Sequence, residues 1–265
     1  MKEEVFEGLI LSLDGPIAKL QLNYADKGNA FDELLHSEFA KVLKALRENG
    51  DIRVILLHAA GRLFSAGGDL GYIQRLHDDP DLRRRTHREG YDIFTALTEM
   101  HVPIVVAVQG HAVGFGATIA TACDVVVAWK GAKLGDPHVQ VGLVAGDGGV
   151  LSWSAAAGYN RARRLLLTGD TLSAVQAYEF GLVTDLVDEP SDALKEATRI
   201  AEQIAALPPI AVQGTKQAFN ALARVRNGNV LDLSLTAEIA SVASEDINEA
   251  LNAIQEKRTG IYHNR

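Results

Sequence analysis

The chain has 265 residues, 47% of them apolar and 23% charged, enough to bury a sizeable core as one globular domain and too apolar for a disordered chain. Its 34 acidic side chains outnumber 26 basic ones, and the resulting formal charge of −8 repels a phosphate backbone, so nucleic acid is not an expected partner. The single cysteine, Cys123, excludes an internal disulfide; within the apolar run ATIATACDVVVA it reads as a small buried hydrophobe in a reducing, cytoplasmic setting.

The opening MKEEVFEGLI lacks the apolar stretch of a signal peptide, and the longest clean apolar run, IVVAV, is far too short to span a bilayer. Neither a leader nor a membrane span is expected. Next, LILSLDGPIAKLQLN alternates apolar and polar residues on both sides of Asp14-Gly15, the pattern of a hairpin. In DELLHSEFAKVLKALREN, Leu35, Phe39, Val42 and Leu46 fall at helical spacing, with Gly50 as a stop. The basic cluster DLRRRTHREG, flanked by Asp78, Asp79 and Asp81, reads as a solvated helix face.

The β-branched runs RVILLHAA, VPIVVAVQG and DVVVAW, separated by helical stretches, predict buried strands alternating with helices, an α/β class. Beyond residue 150 helix dominates. SAVQAYEFG carries a capping box from Ser173 to Gln176 and a terminal Gly181, and helices over 192–206 and 210–227 are divided by Pro208-Pro209. In TAEIASVASEDINEALNAIQEKR, Ile247, Ala250, Leu251 and Ile254 face one way, so a last helix needs a surface on its own subunit or a neighbouring one. No internal repeat or low-complexity tract is present.

The eight histidines show no HExxH or Cys/His ligand spacing, so no metal site is expected, and the GxSxG elbow of a serine esterase is absent. GHAVGFGA lacks the third glycine of a dinucleotide fingerprint. What remains is a pair of glycine-bearing turns, each after a strand: GRLFSAGGDL and GHAVGFGA. Each can aim an unpaired backbone N–H at a ligand oxygen, and two donors on one oxygen make an oxyanion hole. A third stretch, GDPHVQVGLVAGDGGV, sets Asp147 nine positions after His138. Taken alone, each turn is a connection, and His138 and Asp147 are turn and helix caps.

Six segments in order, NYADKGNAF, LFSAGGDL, GHAVGFGATIATACDVVVA, LGDPHVQVGLVAGDGG, RARRLLLTGDTLSAVQAYEFGLVTDLV and EALNAIQEKR, resemble the enoyl-CoA hydratase/isomerase, or crotonase, family over most of the chain. The resemblance implies a crotonase-like spiral of strand-strand-helix units over residues 1–190, a C-terminal helical trimerisation region over 191–265, and a homotrimer or dimer of trimers. It also implies a CoA thioester substrate, with coenzyme A as part of the substrate and no separate cofactor. On matching positions the oxyanion donors are the N–H groups of Ala66 and Phe115. Lys27, Ala30, Gly67, Gly68 and Asp69, with Thr118, then fall to binding of substrate or CoA.

The family's two catalytic glutamates are missing: their positions hold Thr118 and His138. A threonine hydroxyl does not replace a carboxylate in acid–base work near neutral pH, whereas an imidazole paired with Asp147 does. The expected function is therefore an enolate reaction on an acyl-CoA in which His138 and Asp147 move protons. The spacing of His138, Asp147 and nearby Trp153 also resembles a branch that hydrolyses a carbon–carbon bond of cyclic β-diketones. The remaining alternative is an acyl-CoA-binding protein without turnover.

Overall fold

The computed structural model describes residues 2–265, with side chains described for all of these except residues 2, 3 and 229. The chain opens as an antiparallel meander of β1 (Lys2–Val5), β2 (Leu9–Asp14) and β3 (Ile17–Leu22). The expected hairpin closes through Gly15-Pro16, with Gly15 at a φ of 58° that a side chain resists. Helix α1 (Glu33–Glu48) starts where the Asp32 carboxylate accepts from the Leu35 N–H at 3.0 Å, and it buries Leu35, Phe39, Val42 and Leu46 as their spacing requires.

The chain continues through β4 (Val54–Ala59), α2 (Leu70–Asp78), α3 (Pro80–Glu99), β5 (Ile104–Val108), β6 (Ala112–Val113), α4 (Phe115–Ala122), β7 (Val125–Trp129) and β8 (Lys133–Gly135). It then runs through α5 (Gly149–Ala157), α6 (Tyr159–Thr168), β9 (Thr171–Ser173), α7 (Ala174–Phe180), β10 (Asp185–Val187), α8 (Pro190–Ala205), α9 (Pro209–Val242) and α10 (Glu245–Glu256). The main sheet has the order β1-β2-β3-β4-β5-β7-β10 and is parallel from β3 onward; β6, β8 and β9 form a second, small sheet. The capping box at Ser173 and Gln176 is present at the start of α7. No described helix is long and apolar enough to cross a membrane.

The strands from β3 to β7 are covered on both faces, which is why they read as near-continuous apolar runs. One face packs against α1, α3, α4 and α5 around Phe39, Phe64 and Trp153. The other is sealed by α8, whose Ala193, Ala197, Ala201 and Ala205 repeat every fourth residue and lie flat on Val54, Leu56, Val105 and Val127. The boundary drawn at 190/191 thus falls at the start of a helix that belongs to the sheet's own packing.

The longest helix departs from the expected break only in form. The chain does turn after residue 227, but at Gly228, with φ 25° and ψ −126°, and helix resumes to Val242. Past that kink Leu231 and Leu235 pack on Phe94, and Val242 joins Ile247 and Leu251 of α10 against Tyr72, Ile73, Leu76, Leu82 and Leu143. The last helices find their surface on α2 and α3 of the same chain. A cavity results between α2, α3, the resumed part of α9 and the loops that follow β4, β6 and β8.

Candidate active site

The two glycine turns meet at this cavity. Residues 65 to 69 run alongside Phe31 on one side and Ala112 on the other, held by single parallel bridges at Gly68 and Ser65. Gly67, with φ 90°, packs on the backbone of Val113 and Gly114; a Cβ there would stand 2.7 Å from the Val113 carbonyl oxygen. Only glycine lets the turns approach this closely. Phe115 opens α4 just beyond Gly114, itself at φ 52°, so its N–H is one of the unpaired donors of a helix start.

The Ala66 N–H is not free. It donates to the Gly28 carbonyl at 2.9 Å, which corrects the expectation that it serves as an oxyanion donor. Gly67 N–H donates to the Ser65 hydroxyl at 3.1 Å. Phe31 N–H donates to the Gly67 carbonyl, and Asp69 N–H donates to the Phe31 carbonyl. Gly68 N–H, between those bonds, has no acceptor among the described residues, and neither has Phe115 N–H; both residues line the cavity. The open pair of donors is therefore Gly68 and Phe115.

His138 and Asp147 come together, and with them a residue the sequence reading passed over. Asp136, fully buried, turns back over Pro137 to accept from His138 Nδ1, while His138 Nε2 faces Asp147 Oδ2 at 3.4 Å. The imidazole thus lies between two carboxylates. Burial alone would strip its proton, but the charges of Asp136 and Asp147 outweigh that and hold the imidazolium pKa well above its ordinary value. Burial likewise opposes ionisation of Asp147, yet the His138 charge and the hydrogen bonds from His138, Thr118 and Gly149 keep its carboxyl below the usual range. Three ligand-type atoms of Asp136, His138 and Asp147 lie within 4.8 Å of one another, with both imidazole nitrogens facing carboxylates.

Thr118 is also placed differently from expectation. Its hydroxyl donates to Asp147 Oδ1 at 3.0 Å, and it does not line the cavity, so it positions the aspartate rather than a substrate. Gly149 N–H, at the start of α5, adds a second, longer bond to the same oxygen at 3.4 Å. Helix α5 thereby supports the negative charge with its N-terminus, and Asp147 Oδ2 is left to face His138 Nε2 on the cavity wall. Trp153 is fully buried in the main core and does not line the cavity.

A second carboxyl was not foreseen: Glu238, on the resumed part of α9, lines the same wall. Its Oε2 is buried with no hydrogen-bond partner, and burial, followed by the charge of Asp147, pushes its pKa up to about 8. Helix and loop are locked together here, for the Ser234 hydroxyl donates to the Gly146 carbonyl at 2.9 Å and Val144 N–H donates to the Ser241 hydroxyl at 3.1 Å. A Cβ on Gly146 would stand 2.8 Å from Glu238 Oε2.

The cavity measures about 170 Å³, and much of its lining is apolar, including Phe31, Leu70, Ile73, Leu143 and Ile239. Phe115 lines it, its ring stacked on His36 at 5.4 Å and meeting Phe31 edge-on at 5.0 Å. Lys27, Ala30 and Asp69 do not line it. Lys27 pairs with Asp32 at 3.0 Å on the loop that holds Ala66, Ala30 is buried beside it, and the Asp69 carboxylate caps α2 by accepting from Tyr72 N–H at 2.7 Å.

Residues 13–265 match the sequence profile of the enoyl-CoA hydratase/isomerase family. The chain belongs to that family. Among its members, (E)-benzylidenesuccinyl-CoA hydratase of Thauera aromatica is 35% identical over 78% of this chain and 80% of its own. The 1,2-epoxyphenylacetyl-CoA isomerase of Escherichia coli is 31% identical over 96% and 98%. The crystal structure of an enoyl-CoA hydratase/isomerase from Mycobacterium paratuberculosis superposes with a TM-score of 0.89 at 37% identity, covering 92% of this chain and 97% of the other. Crotonase-family architecture is thus shared over nearly the whole length, including the C-terminal helices.

Proposed function

We propose that this crotonase-family enzyme acts on an acyl-CoA thioester through an enolate, with the thioester oxygen held by the N–H groups of Gly68 and Phe115. The observation that carries the reading is the pairing, on one cavity wall, of an ionised Asp147 beside His138 with a Glu238 that keeps its proton near neutral pH. Carboxyls whose environments separate their pKa values this way supply a base and an acid at the same pH. In hydration of an enoyl thioester, Asp147 Oδ2 takes a proton from water as its oxygen adds to the β-carbon. The electron pair moves to the thioester oxygen, and Glu238 returns a proton to the α-carbon. Each backbone donor contributes on the order of 3 kcal/mol to the enolate-like transition state.

The direct test is loss of the conjugated absorbance of crotonyl-CoA. Turnover is the expected result; an enzyme that binds the thioester without consuming it refutes hydration.

A second reading rests on the Asp136–His138–Asp147 line, an array suited to activating water against a carbonyl carbon. With a cyclic β-diketone, oxygen from water would bond to one carbonyl carbon and the ring carbon–carbon bond would break. Its electrons would form an enolate at the oxyanion donors, for protonation to a keto acid. Consumption of a free cyclic 1,3-diketone without CoA would select this reading.

The exposed stripe of Phe219, Leu222 and Val225 on the first part of α9 supports the expected trimeric association. Sedimentation equilibrium should give a mass at a multiple of three chains; a monomer at micromolar concentration would refute it.

A further inference from the structure

The cavity has a second polar wall that the chemistry above does not use, formed by His36 of α1 and by Arg83, Thr86 and His87 of α3. Arg83, His87 and Gly90 recur at spacings of four and three, so one face of α3 is turned to the cavity. Some of its groups are already satisfied: the Thr86 hydroxyl donates to the Leu82 carbonyl at 3.0 Å and meets the Tyr72 hydroxyl, and His36 Nδ1 is held by Glu89 at 3.0 Å.

Others are not. His87 Nε2 is buried without a hydrogen-bond partner. Arg83 spends one nitrogen, Nη1, on the Leu76 and His77 carbonyls at 2.7 and 2.9 Å, and among the described residues its guanidinium pairs with no carboxylate. Glu89, which does not line the cavity, bonds to His36 and not to Arg83.

An unpaired guanidinium beside an unsatisfied imidazole, in a cavity lined largely by apolar side chains, marks where a ligand oxygen with negative charge is received. The planar fork of arginine matches a carboxylate with two parallel bonds. The geometry points to an acyl group that carries a second carboxylate, remote from the thioester and received by Arg83 and His87. This rests on the acyl-CoA reading. A phosphate of the CoA moiety would satisfy the same charge, and the experiment separates the two sources.

Titration calorimetry with adipyl-CoA and hexanoyl-CoA, both saturated, reads binding without turnover. The native protein is expected to bind adipyl-CoA at least roughly tenfold more tightly, and Arg83→Met to erase that preference while leaving hexanoyl-CoA within about twofold. Because Arg83 also holds the end of α2, His87→Leu serves as a second variant and should weaken adipyl-CoA alone, with thermal melts on both. Equal native affinities overturn the proposal. Equal weakening of both thioesters in Arg83→Met also overturns it, in favour of a CoA phosphate. If neither thioester binds, the acyl-CoA reading fails and this inference fails with it.

Discussion

Replacing Asp147 with asparagine is expected to lower kcat with an acyl-CoA by about two to four orders of magnitude, the range for loss of a general base. The substitution preserves shape. The Thr118 hydroxyl and Gly149 N–H can still donate to the side-chain oxygen, so a drop in rate reports chemistry rather than collapse of the loop. His138 loses one of the two charges that raise its pKa, and the imidazole should titrate at lower pH in the variant. The stability consequence has a definite sign. The raised His138 pKa contributes stability that is full below the ordinary imidazole value and lost as pH rises through the folded one. The lowered Asp147 pKa contributes stability present above the ordinary carboxylate value and lost as pH falls through the folded one. The variant's melting temperature should therefore vary less with pH at both ends. Unchanged kcat in a folded Asp147→Asn protein would remove Asp147 from the mechanism.

Glu238→Gln is expected to have an effect of similar size on product formation and a distinctive one on the pH profile. With its pKa near 8, Glu238 is protonated at neutral pH, and activity that needs its proton falls as pH rises through that value. Glutamine keeps the shape but cannot release a proton, so the alkaline limb centred near 8 should disappear from what activity remains. A raised folded pKa also means that the native state holds a proton the unfolded chain gives up near the ordinary carboxyl value. Native stability should fall as pH rises from that value to about 8, and the glutamine variant should melt higher than the native protein in alkali. An alkaline limb that survives in Glu238→Gln would assign it to another group.

Much of the frame was legible in the sequence because local signals and tertiary demands agree. The hairpin, α1 with its apolar stripe and the capping box of α7 each follow from spacing and turn chemistry alone. His138 and Asp147 were found through their spacing and their match to active-site positions. Asp136, two residues before His138, has no sequence signal beyond its place in GDPH; only the turn at Pro137 brings it onto the ring. Glu238 is one of two acids in a long helix, the other being Asp232, and its role depends on the kink at Gly228 that redirects the helix over the cavity. Reading DLRRRTHREG as a solvated face held for Arg84 and Arg85 but not for Arg83 and His87, because one helix shares its charge run between solvent and cavity. Ala66 and Gly68 sit two apart, a spacing that would point both N–H groups the same way in a regular strand; Gly67 at φ 90° breaks that alternation.

The central claim is that an acyl-CoA passes through an enolate between the Gly68 and Phe115 donors and the Asp147–Glu238 wall. The most direct measurement is proton NMR of crotonyl-CoA incubated with the enzyme in deuterium oxide, in which deuterium entry is read as loss of α-proton signal. The expected result is deuterium at the α-carbon of the hydrated product, at a rate that Glu238→Gln and Asp147→Asn each lower about a hundredfold or more. Thioester bound at the site with no deuterium entering the α-carbon, under conditions where a cyclic 1,3-diketone is cleaved, would contradict it.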